Sequence, residues 1–137
     1  MKDLICTIAG IFGSAVSMLF GGWDVSLGAL LGFMIADYIT GLIVAGVFKK
    51  SPKTANGALE SNAGMKGLLK KCVILVFVYV AHELDLVLQV NYIKTAVVIG
   101  FMTNELISLI ENAGLMGIPL PKVFNKAIEV LTEKGEN

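Results

Sequence analysis

The residues most able to do chemistry are hydrophilic side chains set inside long apolar stretches. Asp37 lies near the middle of the run Val25 to Phe48, and Asn104, Glu105, Ser108, Glu111 and Asn112 punctuate the run that begins at Ile93. A carboxylate at mid-bilayer has to face protein or water, take a proton, or pair with a donor. Asp37 is therefore read either as a hydrogen-bonded packing acid or as part of a polar wall that becomes wet on assembly, with a proton or ion relay as a third use. Gly100, Asn104, Ser108 and Asn112 recur every four residues, and Glu105 and Glu111 flank them on the same broad side. Such a face can bond across helices or line water, and both uses favour association over contact with lipid.

Catalytic and metal chemistry find little support. In His82-Glu83 the second histidine of a zinc-protease helix would fall at position 86, which is Leu86. His82 is the sole histidine, and Cys6 and Cys72 share no CxxC spacing, so no metal site or disulfide framework is expected. Both thiols read as small apolar fillers. Neither a nucleophile elbow nor a phosphate-binding glycine loop is present. The expectation is a protein without catalytic residues or cofactor.

The elements that must carry these side chains follow from composition. The chain has 137 residues, 55% of them hydrophobic and only 16% charged, with 11 Lys+Arg against 11 Asp+Glu. Mean hydropathy is +0.77. Soluble domains carry about 25% charge, and a chain this short and apolar cannot hide its greasy surface in its own interior. Zero net charge and the lack of any arginine argue against a nucleic-acid binder. One all-α integral membrane domain, residues 1–137, is the expectation.

Apolar runs place about four transmembrane helices, at residues 4–20, 25–48, 72–90 and 93–110, paired as two helical hairpins. Cutting of the N-terminal run as a secretory signal is not expected, because Asp3 offsets Lys2 and the run continues to Phe20. Trp23 suits an interfacial anchor in the first turn. Residues 49–71 read as one polar loop with six lysines, and 113–137 as a tail holding the turn residues Gly117, Pro119 and Pro121. The tail ends in a short amphipathic helix expected on the membrane surface. Lysine-rich loops stay in the cytoplasm, so loop, tail and both termini are expected there. The weakest point of the count is the second hairpin, which could be one crossing plus an interfacial or re-entrant segment.

Two stripes of small residues are candidates for close helix packing. Ala9, Gly13, Ser17 and Gly21 lie four apart on the first helix, and Gly28, Gly32, Ala36 and Thr40 on the second, with Gly41 continuing the Asp37 face. In lipid such faces let backbones approach, either within one hairpin or between subunits.

Taken together, Asp37-Tyr38-Ile39-Thr40-Gly41-Leu42, the loop from Ser61 through Lys66-Gly67 to Lys70-Lys71, the run Asn104 to Asn112, and Gly117-Ile118-Pro119-Leu120-Pro121 resemble the toxin-secretion and phage-lysis holin family of phages infecting Gram-positive bacteria. The resemblance covers about Gly28 to Val130, and its specific part is the acid- and amide-rich helix followed by Gly-x-Pro-x-Pro. The first helix shows no motif of that family, whose members are often drawn with three crossings. The resemblance implies an inner-membrane protein, multi-pass in the bacterial host, that self-associates into lesions and so releases an endolysin or a toxin. Its partners would be further copies of itself, the lipid bilayer and, indirectly, that cargo. The competing readings are a small oligomeric channel or proton-coupled carrier subunit, and a membrane anchor whose lysine loop recruits a partner or anionic lipid.

Overall fold

The computed structural model describes residues 1–136, and among them the ordered elements are all helical: α1 (Lys2–Phe20), α2 (Val25–Ile43) continued by a π-helical turn (Val44–Phe48), α3 (Ser61–Leu88), α4 (Ile93–Leu115) and α5 (Val123–Glu136). Local chemistry sets the boundaries. Gly21 ends α1 in the left-handed conformation at φ 76°, which glycine adopts without penalty. The Asp24 carboxylate then accepts from the Leu27 amide at 2.7 Å and opens α2. Asp85, near the end of α3, accepts from the Ile93 and Lys94 amides at 2.9 and 3.0 Å, so it caps the start of α4 from the neighbouring helix.

Pairings between helices set their directions. Phe20, Leu27, Leu30, Met34, Val78, Val98 and Met102 form the buried core. Asp37 meets Lys71, Ser108 and Asn112, while the Tyr38 hydroxyl donates to the Gly64 carbonyl at 3.2 Å. α2 and α4 thus run parallel, and α3 runs antiparallel between them in sequence. α1 touches the rest chiefly through α3 and the first turn of α4, where Lys94 donates to the Phe20 carbonyl. Its outer residues are bare: Ile8 is 58% exposed and Phe12 71%. Water would not tolerate that surface, but lipid does.

Three helices, Lys2–Phe20, Val25–Phe48 and Ile93–Leu115, are long and apolar enough to cross a membrane. α3 is longer than any of them, yet it carries Lys66, Lys70 and Lys71 in its first half and Glu83 and Asp85 in its second. It also starts earlier than its apolar run suggests. Residues 61–71, expected as the end of a loop, form its first turns, and the loop itself shrinks to residues 49–60. α4 continues to Leu115 rather than stopping at residue 110, which shortens the expected tail.

The amphipathic segment forms a helix, but it does not stand apart. α5 folds back on α4, with Ala127, Ile128 and Leu131 partly buried and Leu131 against the core. The turn that allows this has Gly117 at φ 77°, followed by Pro119 and Pro121. Ile118 donates back to the Ala113 carbonyl at 2.9 Å, closing α4.

Candidate functional site

Three helices bring one ammonium and two carboxylates together. Lys71 of α3 donates from Nζ to Asp37 Oδ2 at 2.8 Å and to Glu105 Oε2 at 2.7 Å. Asp37 and Glu105 are 6% exposed, so water does little to screen them. Asp37 is the better served acid. Its Oδ1 also accepts from Ser108 Oγ at 2.6 Å and from Asn112 Nδ2 at 3.0 Å. The Asn112 amide additionally donates to the Asp37 carbonyl at 3.3 Å and to Thr40 Oγ1 at 2.8 Å. Among the described residues no buried side-chain nitrogen or oxygen lacks a partner.

Depth gives the cluster its significance. Asp37 and Glu105 lie near the midpoints of two helices of spanning length. From Asp37 to the start of α2, and from Glu105 to the start of α4, is about 18 Å at roughly 1.5 Å per residue. The opposite ends of both helices are about 15 Å away on the same scale. The ion cluster is therefore placed where charge is dearest, held by pairing and by hydrogen bonds to its remaining lone pairs.

A partly open cavity of about 260 Å³ leads from this cluster toward the segment 51–60. Tyr38, Lys70, Glu60 and Glu111 line it together with the cluster residues. It has room and polar partners for several waters.

Of the residues singled out from the letters, Asp37, Glu105, Ser108 and Asn112 converge here, and Glu111 borders the cavity with an exposed side chain. Asn104 does not join them. It is exposed, as are Gly100 and Ile107. The reason is helix geometry: at 3.6 residues per turn a step of four overshoots by about 40°, so Asn112 sits roughly 120° round from Gly100. What looked like one polar line is split between a buried face and an open one. Lys71 was the residue that sequence reasoning missed. It stands at the border of the lysine-rich stretch and so reads as a loop charge, although two mid-span acids without a cation should have pointed to the nearest lysine.

The small-residue stripes divide in the same way. Gly41 faces α4, where an added Cβ would lie 4.0 Å from Asn112 Nδ2. Gly13, Gly28 and Gly32 have nothing within 4 Å of that position. Ser17 and Ala36 are half-buried, and Gly13 accepts from Trp23 Nε1 at 3.3 Å. The α2 stripe therefore packs against no other helix of its own chain at Gly28 and Gly32.

His82 packs its ring on the α1 turn, where a Cβ on Gly21 would fall 2.3 Å from His82 Cε1. Among the described residues no group of three or more His, Cys, Asp or Glu could hold a metal ion.

Known proteins resemble this chain over most of its length. An uncharacterized protein of Halalkalibacterium halodurans is 39% identical over 96% of this chain and 96% of its own length. An uncharacterized protein of Clostridium perfringens is 34% identical over 96% of this chain and 94% of its own. A probable holin of Bacillus phage phi105 is 30% identical over 77% of this chain and 73% of its own length. No solved structure matches the chain. The model of the bacteriophage holin family matches residues 14–133, a span that contains the ion cluster, its cavity and the turn into α5. The chain belongs to the bacteriophage holin family.

Proposed function

We propose that this chain is a holin that oligomerises in the cytoplasmic membrane of a bacterial host and opens holes through which an endolysin or a toxin leaves. The observation that carries this reading is the cluster of Lys71, Asp37 and Glu105, set midway along helices of spanning length and connected to a partly open cavity. A single copy surrounded by lipid keeps these charges only by closing them on one another. Copies that share polar faces around water relieve that constraint, so association is favoured as surface concentration rises. Gly28 and Gly32 leave part of α2 open to close packing by a neighbour. α3 supplies the fourth crossing, with Lys71 closed on the two acids and Lys66, nearer its start, reaching along its stem toward the headgroups. The N-terminus, the lysine-bearing segment 49–60 and the turn from α4 into α5 then face the cytoplasm.

Induced expression in a bacterium tests the reading. Sudden growth arrest, dye entry and release of a co-expressed endolysin are expected, and continued growth at full membrane expression would refute it. The cavity reaching Asp37 and Glu105 favours one second reading, a small ion channel or proton-coupled carrier. Ion flux without escape of folded protein would identify that case.

A further inference from the structure

α5 lies at the wrong depth for a surface helix. Phe124 and Asn125 sit beside Ile110 and Gly114 of α4, and at the other end a Cβ on Gly135 would be 3.5 Å from Ile99 Cγ2. α5 thus runs antiparallel along the stretch from Ile99 to Ile110, about 16 Å in the middle of a helix of spanning length. Its inner side is Ala127, Ile128 and Leu131, while Lys126, Glu129, Glu133 and Lys134 are all exposed. Lysine stems can reach a headgroup region from partway down, but glutamate stems are too short to do so. With lipid outside, this face would hold unpaired charge in hydrocarbon.

A second polar stripe is also uncovered. Gly100, Asn104, Ile107 and Glu111 form the side of α4 that neither α2, α3 nor α5 covers. Two hydrophilic surfaces on a single helix pair, both at mid-depth, call for water rather than acyl chains.

We infer that α5 stays docked on α4 in the assembled protein and turns its charged face, with the Asn104 stripe, to a water-filled lumen bounded by further copies of this chain. This rests on the hole-forming reading above. It makes α5 the lining of the hole rather than a peripheral tail.

A disulfide staple tests it. In a Cys6→Ser, Cys72→Ser background, which removes the two exposed thiols, Ile99→Cys and Gly135→Cys are introduced together. The full chain is reconstituted in phosphatidylcholine and phosphatidylglycerol vesicles loaded with a self-quenching dye. The staple is expected to form on oxidation in leaking vesicles with no loss of dye release. In the same background, Glu133→Cys alone should react with a charged, membrane-impermeant thiol reagent while the vesicles leak. Loss of dye release on oxidation, restored by reductant, would overturn the inference, because α5 would then have to leave α4 for the hole to open. Failure of the staple to form during leakage, or an unreactive Glu133→Cys, would overturn it too. Those results leave hole formation standing, whereas absence of dye release from the unsubstituted chain removes both readings together.

Discussion

Lys71 bridges two carboxylates with one ammonium, and the three residues are not equivalent. Among the described residues Asp37 accepts from Lys71, Ser108 and Asn112, whereas Glu105 accepts from Lys71 alone. Removing one partner of a buried ion pair typically costs about 3–5 kcal/mol, because the other charge is left without compensation. Lys71→Met strands two acids at once and should cost at least that much, read as a lowered unfolding midpoint in detergent. Glu105→Gln leaves one ion pair intact and should be the mildest of the single changes. Asp37→Asn and Glu105→Gln are both expected to insert normally but to shift the time of lysis after induction; unchanged timing in both would remove the cluster from the mechanism. The acids and their Ser108 and Asn112 partners were legible because hydrophilic letters inside apolar runs need a reason. Lys71 was not, since the letters around it spell a loop, and Asn104 was grouped wrongly because a four-residue step is not a whole turn.

At the scale of elements, the apolar runs at residues 4–20 and 25–48 and the core of 93–110 were readable from hydropathy, while the start of α3 was hidden. Gly64 and Gly67 make its first turns look like coil, yet they are where Tyr38 packs: an added Cβ would stand 3.6 Å from the Tyr38 hydroxyl at Gly64 and 3.8 Å from its ring at Gly67. The glycines admit an aromatic ring between α2 and α3, and only the tertiary partner explains them. Gly67→Leu should push the two helices apart and lower the unfolding midpoint. Gly28→Leu, where nothing lies within 4 Å, should leave that midpoint unchanged and instead alter lysis timing if α2 packs against a neighbour. Asp85→Ala removes the acceptor of two α4 amides, and loss of a cap of this kind costs about 0.5–2 kcal/mol. Hydrogen exchange at the start of α4 should accelerate in that variant. The fold-back of α5 could not be read either, since its amphipathic pattern serves a membrane surface and an α4 groove equally well.

For the whole molecule, the ion cluster sits about midway between the ends of α2 and α4, and the polar segment 49–60 and the turn at residues 89–92 lie at opposite ends of the helices. With the cysteines replaced, Lys53→Cys and Asn91→Cys should be labelled by an impermeant reagent from opposite sides of the membrane; labelling from one side would refute the even number of crossings. The outward face of α1 needs lipid or detergent, so the purified chain should precipitate when detergent is withdrawn. The spacing of the cluster along the chain has a further consequence, in time. Asp37 precedes Lys71 by 34 residues, and Lys71 precedes Glu105 by another 34. At roughly 5–20 residues per second of translation each gap lasts about 2–7 s. The nascent second helix therefore leaves the ribosome with its acid unmatched, and its ion pair can form only once the third has followed it.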